Sequence, residues 1–214
     1  MSEFHFHTKL DQTLLLGLRA RTSAQMLEGI AQVPDASIYF HTHRFLEQHH
    51  YLSPEPPNDF AYWATHVLND DVLGERLASI DLVQFDTIRD LRAEFLAILR
   101  APRDGGQSAV AASPPGEEFH FMASRIFVLP TGYVARDISE FRSILTRVSI
   151  RSLYFHMFDA RLRLGEGEND FSRWFRDQGL ADLAGQITGL DPYRHTLEGL
   201  RKRILVLSAR YDAH

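Results

Sequence analysis

The chain of 214 residues contains no cysteine. That absence excludes disulfides, thiolate nucleophiles and zinc sites built on sulfur, so any metal would have to be held by histidine and carboxylate. No apolar run approaches the roughly 20 residues that span a bilayer, and the start carries no charged region followed by an apolar one. This predicts a soluble, cytoplasmic protein with no membrane attachment. Basic charge is not in excess: 23 Lys and Arg stand against 28 Asp and Glu, for a net charge of −5, and they are spread along the chain. Nucleic acid is therefore not an expected partner. Also missing are a Gly-x-Ser-x-Gly elbow, a phosphate-cradling Gly-x4-Gly-Lys loop and a dinucleotide fingerprint. Paired carboxylates occur only in Asn69-Asp70-Asp71, which reads as a helix cap, and in Glu117-Glu118 at a linker end, so no glycosidase or acid protease is implied.

What is present is a repeat. Hydrophobic residues make up 44% of the chain and aromatics 11%, enough for a packed core. Glu3-Phe4-His5-Phe6 returns as Glu118-Phe119-His120-Phe121, and Leu14, Gly17, Arg21, Val33 and His41 meet Leu129, Gly132, Arg136, Val148 and His156 in register. Asn58-Asp59-Phe60 with Trp63 then matches Asn169-Asp170-Phe171 with Trp174, Asp81 matches Asp191, and Thr87, Leu91, Arg92 and Leu96 match Thr196, Leu200, Arg201 and Leu205. Matches kept in order through both halves indicate a tandem duplication. Residues 1–100 form the first repeat and 118–214 the second. Between them 101–117, rich in Gly, Ala, Ser and Pro, reads as a flexible linker.

Within each repeat, alternation in Glu-Phe-His-Phe and the apolar run that follows it predict a pair of short strands. About four helices come next. Thr22 with Gln25 and Asp137 with Glu140 have capping-box spacing and start helices running to about Val33 and Val148. A helix over 36–50 follows Pro34. Asn58 and Asn169 read as N-caps of a third helix, and Asp81 and Asp191 as N-caps of the last. The fold class is α+β, mostly helical, in two tandem repeats related by a pseudo-twofold axis.

Gly17-x-x-Ala20 ahead of a helix, then Ser37-Ile38-Tyr39-Phe40-His41, Asn58-Asp59-Phe60-Ala61-Tyr62-Trp63 and Thr87-Ile88-Arg89-Asp90-Leu91-Arg92, resemble an uncharacterised family, the domain of unknown function 5752. The resemblance covers nearly all of the first repeat and, more loosely, the second. It implies no activity and no functional residues.

Repetition sorts the polar candidates. His41 and His156, with Tyr39 before the first, recur without a capping role, and they read either as hydrogen-bonded core histidines or as a symmetric pH-sensitive or ligand-binding pair. Arg21 and Arg136 read as ion-pair partners or anion ligands. The first repeat alone places His43, Glu47 and His50 on the helical face of Tyr39, where the second has Phe158 and Leu162. A His-x3-Glu-x2-His face can offer imidazole and carboxylate to a divalent metal. Two functions are thus expected: a non-enzymatic binding or regulatory module, acting on a protein partner or small ligand at the seam between repeats and needing no cofactor, or a metal-dependent enzyme using the His/Glu cluster on helix 36–50.

Overall fold

A computed structural model describes residues 2–48, 58–102, 112–160, 168–190 and 195–211. The chain is α+β and mostly helical. Strand β1 spans Phe4–Ala20 and leads into α1 (Ser23–Gln32), α2 (Asp35–Gln48), α3 (Asp59–His66), α4 (Asp71–Ala78) and α5 (Ile88–Arg100). Strand β2 spans Phe119–Ala135 and leads into α6 (Ile138–Leu145), α7 (Ile150–Tyr154), α8 (Asp170–Asp177), α9 (Ala181–Thr188) and α10 (Leu197–Ser208). Directly after α7, Phe155–Asp159 is a π-helical turn.

The two strands form one antiparallel two-stranded sheet. The short strand pair expected in each repeat is therefore a single strand of 17 residues. Towards the end of each strand stands a glycine with positive φ, Gly17 at 77° and Gly132 at 78°. A residue with a Cβ rarely adopts that conformation; glycine takes it without penalty and lets the strand continue past the kink.

The chain divides into two compact units, each drawing residues from both 1–100 and 118–214. A carboxyl-terminal unit takes Met1–Asp11 together with Ile126–His214, and a central unit takes Gln12–Gln48 with Pro54–Arg125. Each opening aromatic pair thus packs on the helices of the other half of the sequence. In the carboxyl-terminal unit, Phe4 and Phe6 are buried, with ring centroids 5.8 and 5.5 Å from Phe141 and 5.3 and 6.2 Å from Phe171. In the central unit, Phe119 lies 5.3 Å from Phe60 and 5.8 Å from Trp63, and Phe121 is wholly buried. Alternation explains the pattern: residues two apart on a strand share a face, so both phenylalanines of Phe-His-Phe turn inward together.

Helix starts follow the sequence signals closely. The Thr22 and Asp137 side chains accept from the N–H of Gln25 and Glu140, while Gln25 Oε1 and Glu140 Oε2 accept from the N–H of Arg21 and Arg136. Asn58 and Asn169 cap α3 and α8. The last helix of each half differs from expectation. Thr87 caps α5 and Thr196 caps α10, each accepting from the N–H three residues on. Asp81 instead precedes a short 3-10 turn over Leu82–Gln84, and Asp191 lies outside the described residues, as does most of the expected linker.

Arginines close the other ends. Arg92 Nη1 donates to the carbonyls of Ile30 and Val33 at 2.7 and 2.6 Å, and Arg201 Nη1 to those of Leu145 and Val148 at 2.8 and 2.7 Å. These are C-terminal carbonyls of α1 and α6, which have no partner within their helix and carry the negative end of its dipole.

In the central unit Gly29 sits mid-helix against Phe121, and a Cβ there would run into the phenyl ring. Helix propensity favours alanine over glycine by about 1 kcal/mol, whereas overpacking a filled core costs about 1–3 kcal/mol. Gly29→Ala is expected to lower stability in urea unfolding by up to about 2 kcal/mol, the net of those two terms.

Candidate functional site

Two buried histidines join the strands to the helices. In the carboxyl-terminal unit, His156 lies on the π turn, 2% exposed. Its Nδ1 is 2.8 Å from Asp170 Oδ2, and its Nε2 accepts from the backbone N–H of His7 at 2.9 Å. In the central unit, His41 Nδ1 is 2.8 Å from Asp59 Oδ2, and Nε2 accepts from the N–H of Met122 at 3.0 Å. A nitrogen that accepts from an N–H carries no proton, so the ring proton sits on Nδ1 and is donated to the carboxylate. The pairing resembles the His–Asp part of a hydrolase triad, but with a decisive difference. The nitrogen that would act as base is already occupied by a strand N–H. Chemically the pair is a clamp: it fixes the strand on the helices, and the carboxylate fixes the ring.

The His156 clamp forms the back of a cleft of ≈ 530 Å³ in the carboxyl-terminal unit. Phe4, Val128, Phe155 and Trp174 supply apolar wall; Glu3, His5, His7, Asp170, Arg173 and Asp177 supply polar groups. Strand alternation presents His5 and His7 on the same side, opposite to the buried Phe4 and Phe6. Trp174 is held by its Nε1–H, which donates to the carbonyl of Ser2 at 2.8 Å. Trp63 does the same in the central unit, donating to the carbonyl of Glu117 at 2.9 Å.

A second cluster lies deeper in the same unit. Lys9 is 0% exposed, with Nζ 2.9 Å from Asp159 Oδ2, 3.3 Å from Asp11 Oδ2 and 4.6 Å from the centre of the Tyr154 ring. A buried ammonium is tolerated only with charge partners and hydrogen bonds around it, and here two carboxylates and an aromatic face supply them. Asp159 ends the π turn, a helical distortion found frequently at functional sites.

The profile of a family of unknown function, DUF5752, matches residues 1–208. The chain belongs to DUF5752. The solved structure of OrfY from Thermoproteus tenax is similar to it with a TM-score of 0.82 and 31% sequence identity, over 100% of this chain and 97% of that one. Comparison with curated proteins gives no match.

In this DUF5752 chain the residues singled out by sequence scatter. His41 and His156 are the two clamps, each buried and hydrogen-bonded through both ring nitrogens. Tyr39 is buried and stacks on His43, with centroids 5.3 Å apart and planes inclined by 5°. His43 is 5% exposed, with Nδ1 2.8 Å from the Thr42 hydroxyl. The Glu47 side chain and all of His50 lie outside the described residues, as does the proline-rich loop beyond them. Among the described residues no group of three or more histidine and carboxylate side chains is arranged to hold a metal ion.

Arg136 pairs with Glu140 at 3.4 Å and Glu3 at 3.3 Å. Arg21 donates to the Ser113 carbonyl at 3.3 Å. Near Arg21, the Glu118 carboxyl is held below its ordinary value of 4.5 by its own N–H and that of Gly116, helped by Arg21 and Arg19. Because its folded value is the lower one, this small contribution to stability is present at neutral pH and is lost as pH falls through it.

Lys9 and Asp159 were missed, although a signal existed. At matching positions Lys9 stands opposite Ser124 and Asp159 opposite Arg44, so the first half carries a strand cation that the second lacks, and the second a carboxylate where the first has an arginine.

Two outcomes are expected from these contacts. His156→Leu leaves the His7 N–H without its acceptor, costing about 1–3 kcal/mol and speeding exchange of that amide by about tenfold or more in hydrogen-exchange NMR. Lys9→Met takes the cation from between two carboxylates and is expected to cost about 3–5 kcal/mol, most of it recovered in Lys9→Met/Asp159→Leu; chemical denaturation of both variants measures it.

Proposed function

We propose that the protein is a non-enzymatic binding module whose ligand seat is the cleft of the carboxyl-terminal unit, where the opening strand meets α8. One observation carries this reading. The imidazole lining the cleft has both nitrogens engaged in holding the fold, so it serves the architecture of a cavity that offers an apolar wall and charged side chains. A cleft of this volume suits a small ligand or a short protein segment. Clamping gives the cleft a defined shape, since its strand wall is tied at His7 N and at the His7 carbonyl, which accepts from Ser152 Oγ at 2.6 Å.

We also infer that the scaffold arose by tandem duplication. Supporting this, the two units use the same contacts at matching sequence positions: a clamping histidine with its aspartate, a tryptophan N–H on the residue before Glu-Phe-His-Phe or its counterpart, and an arginine on two helix-end carbonyls. The seam between repeats then lies inside each unit, since a strand of one repeat seats on helices of the other. Binding at that seam is a regulatory arrangement, because an occupant would bridge segments from both ends of the chain.

His5→Ala/Asp177→Ala tests the seat, because both side chains are exposed at its rim. Compounds that raise the melting temperature of the wild-type chain are expected to lose that effect in the double variant, while its ligand-free melting temperature stays within about 1 °C. Retention of every shift, or turnover of such a compound, counts against the proposal.

A further inference from the structure

The central unit seats a cation of its own on an aromatic ring. On α2 the Arg44 guanidinium lies over Phe40, with Cζ 4.7 Å from the ring centre, and Nη1 donates to Thr13 Oγ1 on β1 at 2.7 Å. A guanidinium stacks on the negative face of a ring, and the hydroxyl fixes its direction. In the register that sets His41 against His156, the three residues have counterparts: Phe155 for Phe40, Val128 for Thr13 and Asp159 for Arg44. Ring and strand residue keep their places, since Phe155 and Val128 both line the cleft of the carboxyl-terminal unit. The third position has changed sign. Asp159 reaches Lys9, with Oδ2 2.9 Å from Nζ, and that lysine is wholly buried over the Tyr154 ring. The pair of positions that holds a guanidinium in one unit therefore borders a cavity in the other.

Charge around the cavity favours the same kind of occupant. Glu3, Asp170 and Asp177 bring carboxylates to it against one guanidinium, that of Arg173. Glu3 is shared with Arg136 and Asp170 with His156, while Asp177 stands exposed at the rim. Carboxylates beside an aromatic wall draw in a cation and repel an anion. We propose that the cleft takes an organic cation, whose guanidinium or alkylammonium group seats on Phe155 as Arg44 seats on Phe40. The inference rests on the cleft being a ligand seat and adds the chemical class of the ligand. Asp159 is what opens the seat, because it removes a tethered cation from the ring and commits its own charge to Lys9. Val128 offers no acceptor where Thr13 has one, so ring contact and the carboxylates of the lining hold the group.

Titration of the full chain with N-acetylarginine amide and with its neutral isostere, N-acetylcitrulline amide, tests the class, read by NMR shifts of the cleft amides. The cation is expected to bind saturably in the millimolar range or tighter, and the isostere about fivefold or more weakly. Val128→Thr installs the hydroxyl that Arg44 uses and is expected to tighten binding of the cation about threefold or more. Phe155→Leu is expected to weaken it about fivefold or more. Val128 is half-exposed, so its variant keeps the fold and decides the matter even where Phe155→Leu does not fold. Equal affinity for the two compounds, or no gain in Val128→Thr, overturns the proposal. Cleft amides that move only with neutral or anionic compounds overturn the cation and leave the seat standing; cleft amides that move with no compound remove the seat as well. A capped Ala-Arg-Ala peptide that binds more tightly than the amide assigns the cation to a protein segment, and equal or weaker binding assigns it to a free small molecule.

Discussion

The hydrogen bond from a strand N–H to a buried imidazole is the contact on which the rest depends. A two-stranded sheet has little stability of its own, and each strand here must be fixed to helices that lie far from it in sequence. The hydrogen bond from His7 to His156 spans 149 positions and that from Met122 to His41 spans 81. Aromatic packing supplies most of the energy at these joints, yet it is tolerant of sliding. A single acceptor aimed at a single N–H is not. Slipping the strand by one residue would turn Phe4 and Phe6 outward and leave the imidazole facing the wrong group, so ring and phenylalanines specify the same register.

The buried lysine shows the same economy with a different chemistry. Lys9, Asp11, Asp159 and Tyr154 occupy positions that in the other half hold Ser124, Ile126, Arg44 and Tyr39. A pair of charges removed from water contributes little net stability compared with apolar packing, but it penalises any arrangement that separates them. Placed at the end of the π turn, the pair selects one helical geometry just where His156 has to point at the strand.

Much of this was legible in the residues. Helix starts at Thr22, Asn58, Asp137 and Asn169 were read correctly because capping is local: a side chain and an N–H three residues apart decide it. The last helices were misplaced for a related reason, since Asp81 and Asp191 are also good caps by type, and only the structure shows that Thr87 and Thr196 hold the role. Strand length is underestimated because the residues between the two runs, His7 to Thr13 and Met122 to Arg125, show no clean apolar alternation, whereas the strands run through them. The exchange of opening strands between halves had no sequence signal. A repeat shows which segments are alike, and either arrangement, each strand on its own helices or on the other set, would satisfy the same residues. Lys9 gives no sequence signal of burial, because a lone lysine in a strand reads as solvent-exposed.

Strand exchange also orders events in time. Phe4 to His7 are made well before the helices they pack on, and at a synthesis rate of about 5–20 residues per second the 149 positions between His7 and His156 take roughly 7–30 s to emerge. Throughout that interval the opening strand, with two large phenylalanines, waits without its permanent neighbours. The central unit has all its pieces well before the carboxyl-terminal one and can close first.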